Sequence, residues 1–350
     1  MNDGPSRSAV GTPAARHRLP RGRRGGDHAA ALVLVLWMVV ILSLLVMGLA
    51  LTMQVETKIA SYNRQAFKCD VLARAGVELA RQQLMEDIDP LQDLGADAFK
   101  EKWCTNPDLY ENFEFGGGTI NVKVIPEDGK LNINTLSQSP DALRYLFESL
   151  QVPPSDIDVL VDSIDDWVDF DSLPRINGAE DDYYSKLDVP YRAKNGPIDR
   201  LEELLLVQGM TPDLFYGRTS GKPLRDVLTT LSAGKVNVNV APATVLAVLL
   251  GIEESQAEQI VAYRDGEDGV KGTEDDRVLY SRQELPLASS TLSAQELDAL
   301  QNVLDFRSNY FTIVSEGRIG NVSKTVRVTV SRDPSGTKTL AWLEGPDALR

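Results

Sequence analysis

Histidine is almost missing from this chain: its 350 residues include only His17 and His28. Everything after position 28 therefore lacks the imidazole needed for a Ser-His or Cys-His pair or a His-rich zinc site. There is no Gly-x-x-x-x-Gly-Lys-Ser/Thr loop for nucleotide phosphates, and no pair among the many acids stands out as hydrolytic. These absences point away from an enzyme. Cysteine is scarce too, with only Cys69 and Cys104, which permit a disulfide whose formation geometry decides. Proline does not occur between Ala29 and Pro90, so nothing there breaks a helix. Long apolar runs are absent save one.

That run is Ala29 to Leu51, 23 residues without a charge. At ~1.5 Å per residue it reaches about 34 Å as a helix, against a hydrocarbon core of roughly 30 Å. A secretory signal would have a shorter apolar core ending at a small-residue cleavage site, and here the helical pattern runs on. Arg7, Arg16, Arg18, Arg21, Arg23 and Arg24 precede it, against Asp3 and Asp27, which by the positive-inside tendency keeps the N-terminus cytoplasmic and exports the rest. The expectation is a single-pass inner-membrane protein with a periplasmic body. Removing the six arginines and one aspartate of the first 26 residues takes the formal charge from -15 to -20. A body so acidic disfavours nucleic-acid backbones and suits cations or basic partners.

Beyond the span, Val55, Ile59, Tyr62, Ala66, Cys69, Ala73, Val77, Ala80 and Leu84 step by three and four, an apolar stripe that predicts the outer part of one long helix packed on a globular body. Residues 87–118 read as irregular connection. Strand-like alternation marks 119–125, 310–320 and 325–331, and the stretch between is mostly helical. The predicted architecture is α+β: a long N-terminal helix on a small antiparallel sheet, with a large α-helical subdomain inserted between its strands. In domains, this gives a basic cytoplasmic leader (1–28), a transmembrane helix (29–51), helix and first strands (52–134), the helical insert (135–309), C-terminal strands (310–332) and a tail (333–350). Inside the insert, Gly129-Lys-Leu-Asn-Ile-Asn-Thr is echoed by Gly234-Lys-Val-Asn-Val-Asn-Val. The second copy leads into two helices about Gly251, a helix-hairpin-helix (SAM-like) unit.

The densest oxygen cluster is Asp162, Asp165, Asp166, Asp169, Asp171, Glu180, Asp181 and Asp182. Calcium takes six to eight oxygens, which a helix end and a loop of this kind supply; a solvated acidic face is the other reading these residues leave open. A weaker cluster, Asp265, Asp268, Asp275 and Asp276, sits among glycines but lacks EF-hand order, and a charged loop accounts for it as well. The hairpin also raises DNA binding. Its turn, Gly251-Ile-Glu-Glu-Ser, has one glycine, two carboxylates and no adjacent base, which favours a structural use.

Trp37, Asp165-Asp-Trp-Val-Asp, Asn177-Gly-Ala-Glu-Asp, Pro190-Tyr, Glu203-Leu, Val207-Gln-Gly-Met and Asn237-Val-Asn-Val-Ala-Pro occur in this order. Together, from Ala29 to Ser331, they resemble the protein K family of the general (type II) secretion pathway. The resemblance implies a pilin-like fold with a helical, calcium-binding insert. It implies cleavage by prepilin peptidase, with N-terminal methylation, after Gly26 or after Ala29. The implied function is that of a minor pseudopilin which initiates or caps the periplasmic pseudopilus tip for export of folded proteins. Its partners would be minor pseudopilins I and J, the major pseudopilin and the inner-membrane platform, with no nucleic acid. The alternatives are an exported DNA-uptake factor and a membrane-anchored calcium-binding scaffold outside secretion.

Overall fold

The structure, a computed structural model, describes residues 25–88, 95–217, 222–288 and 294–345. The arginines before Gly25 lie outside the described residues. Gly26 and Ala29 fall where only the helical backbone is described. The chain divides into two units, the first ending at Asn63 and the second beginning at Arg64.

Helix α1 spans Gly25–Asp87. In the first unit it presents large apolar side chains on all sides, Trp37 among them at 63% exposure. Among the described residues it is the one helix long and apolar enough to cross a membrane. The predicted stripe is not uniformly covered: Val55, Ile59 and Tyr62 remain more than half exposed.

In the second unit the stripe is enclosed from Cys69 onward, where Cys69, Ala73, Val77, Ala80 and Leu84 are all fully buried. They pack on a five-stranded antiparallel sheet. After helix α2 (Pro107–Tyr110) come strands β1 (Phe113–Phe115) and β2 (Gly118–Pro126). The chain then leaves the sheet and returns in its last three strands, giving the spatial order first, second, third from last, second from last, last. Alternation makes the inner face: Ile120, Val122 and Val124 of β2 pack with Phe311 and Ile313 and with Val326, Val328 and Val330 against α1. Two glycines let the helix lie close. A Cβ on Gly76 would fall 2.2 Å from Ser315 Oγ, and one on Gly317 would fall 2.2 Å from the Cys69 carbonyl oxygen.

The insert begins with β3 (Leu131–Asn132), followed by α3 (Ile133–Leu136), α4 (Pro140–Ser149), α5 (Pro154–Val168), α6 (Asp181–Tyr184), α7 (Pro212–Tyr216), α8 (Leu224–Val227) and β4 (Leu228–Thr229). A second series holds β5 (Val236–Asn237), α9 (Ala243–Leu250), α10 (Glu254–Arg264), α11 (Leu285–Ala288), α12 (Ala294–Ala299) and β6 (Leu304–Asp305). The sheet closes with β7 (Tyr310–Ile319), β8 (Val322–Asp333) and β9 (Gly336–Glu344).

The echo in sequence is thus an echo in structure. Each copy opens with a two-residue strand that pairs in parallel with one closing the same copy: β3 with β4, β5 with β6. In the first copy Asn132 Oδ1 accepts from the Asn134 amide, and Asn134 exchanges two hydrogen bonds with the backbone of Ile198. In the second, Asn239 donates its amide to Asn237 Oδ1 and exchanges two bonds with Leu279. The repeated Asn-x-Asn therefore fastens the start of each copy to a distant loop.

Two sequence-based expectations change, and a third point left open by the sequence is decided. The stretch assigned to irregular connection contains β1. Residues assigned to the tail form β9, an edge strand turned by Pro334-Ser335 and half-exposed, hence without strong apolar alternation. The Cys69–Cys104 bridge is not formed: both thiols are free, and Cys69 Sγ donates to the Val322 carbonyl, 3.2 Å away.

Candidate functional site

On α5, Asp162, Asp165 and Asp166, with Asp169 just past its end, fall at intervals of three, one and three residues, so the helix gathers them on one side toward the chain that follows. That chain, 170–177, is wholly exposed. It is nonetheless held by carboxylates at every second amide: Asp171 N–H donates to Asp169, Leu173 N–H to Asp171, Arg175 N–H to Asp166, and Asn177 N–H to Asp162, at 2.8–3.2 Å. Arg175 also pairs with Asp165. Asp166 is completely buried, and Gly178 lies so close that a Cβ there would meet its Oδ2 at 1.9 Å. Only glycine fits that position. The loop so fastened holds Phe170, Leu173 and Ile176 in solvent, at 84%, 77% and 98% exposure.

Glu180 then turns inward. Its side chain is 3% exposed, and both carboxylate oxygens are buried without a hydrogen-bond partner. Oxygens of Asp169, Asp171 and Glu180 lie within 4.8 Å of one another. That separation suits a shared cation with metal–oxygen distances of about 2.3–2.6 Å. Burial first, and then the charges of Asp166, Asp169, Asp181 and Asp171, push the Glu180 carboxyl up to about 7. Burial likewise raises Asp166 and Asp169. Among the described residues no hydrogen bond reaches the Glu180 carboxylate, which faces two others, an arrangement that raises the cost of its charge. Asn195, absent from the sequence-based set, donates its Nδ2 to the Asp171 carbonyl, and its buried Oδ1 has no partner. Its only sequence signal is a Lys194-Asn195-Gly196 turn.

The other predicted acids have different work. Asp162, Asp165 and Asp166 hold the loop; Asp181 accepts from the Ala193 amide at 2.9 Å; Asp182 makes no hydrogen bond or ion pair among the described residues. Around them Trp167, Tyr184 and Tyr191 pack ring on ring at 5.1–6.3 Å. Of the motifs carrying the family resemblance, Asp165-Asp-Trp-Val-Asp, Asn177-Gly-Ala-Glu-Asp and Pro190-Tyr form this cup and its floor, and Gln208 N–H donates to the Tyr184 hydroxyl beneath it; Trp37 and Asn237-Val-Asn-Val-Ala-Pro are not among its residues.

The weaker cluster occupies the equivalent place in the second copy, just after α10. Its carboxylates fasten their own loop: Asp275 Oδ2 accepts from the amides of Glu267 and Asp268, Asp276 from Gly272, Asp268 from Val270, and Asp265 pairs with Arg264. Hydrogen bonds from Thr273 and these amides hold Asp275 down to about 2. The α9–α10 hairpin caps itself, with Glu253 and Gln256 forming a reciprocal capping box over the first turn of α10.

A further acidic group escaped sequence reasoning. Asp87, Asp97 and Glu101 lie within 4.8 Å of one another, closed by Arg332, which donates to Asp87 at 2.7 Å and Asp97 at 2.6 Å. Arg332 occupies the inward position that Val326, Val328 and Val330 hold earlier in β8. Burial is the largest cause pushing Asp87 and Glu101 up to about 7.

A family model described as type II secretion system (T2SS), protein K, matches residues 129–217, which span the candidate cup. Type II secretion system protein K of Pseudomonas aeruginosa is 26% identical over 333 residues, covering 89% of this chain and 91% of that protein. Its counterpart in Aeromonas hydrophila is 27% identical over 84% of this chain and 88% of its own. In fold, the chain is similar to one in the crystal structure of the GspK-GspI-GspJ complex from the enterotoxigenic Escherichia coli type 2 secretion system, with a TM-score of 0.63 at 22% identity, over 83% of this chain and 99% of that one. These relatives match across the helix, sheet and insert together, so the chain is similar to type II secretion system protein K over most of its length.

Proposed function

We propose that this minor pseudopilin sits at the tip of the periplasmic pseudopilus, where it initiates or caps the fibre together with two other minor pseudopilins, I and J. The observation that carries the reading is the start of α1. A cut after Gly26 makes Ala31 the fifth mature residue, and a cut after Ala29 makes it Leu34. Neither frame offers the glutamate with which a pilin-like subunit neutralises the terminal amine of a neighbour in lipid, where an unpaired charge is costly. A subunit without it fits where no such neighbour must be matched, and the helical insert adds bulk that obstructs a further subunit. The complex of the similar chain supports the choice of partners.

In this reading α1 anchors the protein in the inner membrane with its N-terminus cytoplasmic, the body is periplasmic, and the work is assembly rather than catalysis. Calcium bound by Asp169, Asp171 and Glu180 would supply positive charge to the cup and fix loop 170–177 against α5. Mass spectrometry of the mature N-terminus chooses the cleavage frame. Site-specific crosslinking in assembled machinery should recover this chain with the other minor subunits at the fibre end; recovery along the shaft, at levels like the major subunit's, would refute the tip position.

A further inference from the structure

Strand β2 is longer on one side than on the other. Its ladder with β7 runs from Thr119 to Pro126, whereas β1 covers only Gly118–Ile120. Among the described residues, no hydrogen bond outside the β7 ladder reaches the backbone of Val122–Pro126. Every second residue of this five-residue stretch therefore turns its backbone groups to an unpaired edge about 17 Å long, with Pro126 unable to offer an N–H. The edge is not facing open solvent. A cleft of about 970 Å³ runs along it, lined by Val122, Lys123, Val124, Ile125 and Pro126 in unbroken succession. A cavity over a sheet face touches every second residue; one touching five in a row lies against the strand's edge. Its other walls come from α2 and the second copy of the insert, with Tyr110 and Val261 among them.

We propose that this edge is a strand-addition site, which an extended segment of a partner polypeptide enters to become the missing neighbour of β2. A row of main-chain donors and acceptors at strand spacing is matched fully only by another extended backbone. The cleft also selects by charge. Of its charged lining, Lys130, Arg264, Asp265 and Asp226 are engaged in ion pairs, which leaves Lys123, Lys271 and Glu111 without one among the described residues and the excess positive; Lys271 lies 4.9 Å from the Phe99 ring centroid. The segment that fits alternates apolar residues with acidic ones. Lys123 and Pro126 are also residues that keep an open edge from pairing indiscriminately, so the cleft admits one selected strand rather than any strand.

The test uses the full chain in nanodiscs and a phage-displayed library of random dodecapeptides. Selected peptides should be extended and acidic, and should protect the amides of the Val122–Ile125 segment from hydrogen exchange. N-methylation along the best peptide should weaken binding about five- to tenfold at every second amide and little between, because each methyl removes one edge hydrogen bond. Lys123→Glu should fold normally, lose the acidic binders and select basic ones. Failure to enrich any peptide, protection located at β9 or on a helix, or indifference to N-methylation at both sets of amides would overturn the site.

Discussion

The Glu180 carboxylate yields a prediction of unusual sign, that removing its charge stabilises the metal-free protein. Its folded pKa of about 7 lies above the ordinary glutamate value of 4.5. A group raised in this way contributes stability that is full below about pH 4.5 and is lost as pH climbs through about 7. At pH 8 the difference of about 2.5 units corresponds to a cost of about 3 kcal/mol, since each unit is ~1.36 kcal/mol. Glu180 is buried to 3% exposure, so solvent screening discounts this little. Glu180→Gln preserves shape and removes the ionisation. In EDTA at pH 8 it should raise the melting temperature of the full chain in detergent by roughly 5–10 °C. Calcium at 100 times its dissociation constant should add about 2.7 kcal/mol to the wild type and almost nothing to the variant. The paired melts are followed by near-ultraviolet dichroism, for which Trp167 against Tyr184, with ring centroids 5.3 Å apart, is a local reporter. A Glu180→Gln variant less stable than wild type in EDTA, or one that gains as much from calcium, would refute the reasoning.

Gly317→Ala drives a methyl group into the α1 backbone and should cost about 3 kcal/mol, with Gly76→Ala, which meets side chains, costing less; denaturant midpoints measure both, and a loss below about 1 kcal/mol for Gly317→Ala would contradict the close packing. Arg332→Leu leaves the buried Asp97 and part-buried Asp87 without their cation and should cost about 3–5 kcal/mol at pH 8, less at pH 5, where Asp87 is protonated. Because burial also raises Asp128 to about 7, alongside Asp87 and Glu101, the metal-free protein should melt higher at pH 5 than at pH 8; the opposite order would show these groups ionise freely. Alkylation followed by mass spectrometry, without prior reduction, should label the part-exposed Cys104 in the folded protein and the buried Cys69 only after unfolding.

The long helix, the alternating strands and the helical insert were legible because each rests on a local period that one segment carries by itself. The acid cluster was legible as composition, but not its division of labour. Glu180 differs from Asp182 by being turned inward, a consequence of α6 beginning at Asp181 and of Tyr184 packing on Trp167. Asn195 and Arg332 were invisible for a related reason, since their roles arise from contacts with residues 24 and 235–245 positions away. The stripe on α1 reads as one pattern in sequence, yet only its later part meets the sheet. Periodicity reports that a face is apolar, not what covers it.

Finally, the insert departs from and returns to the sheet at one place. Pro126 faces Phe311 across the β2–β7 ladder, and Thr312 Oγ1 donates to Glu127 at 2.6 Å across 185 residues of chain. Left unfolded, so long a loop would tax the pairing of these strands with a large closure entropy, and sheets joined by such contacts form slowly. Folded, the insert delivers its two ends side by side and serves the sheet as a hairpin turn would. The closure cost predicts that the helical copies form before the central ladder of the sheet zips, so that conditions which loosen the insert slow the formation of the sheet.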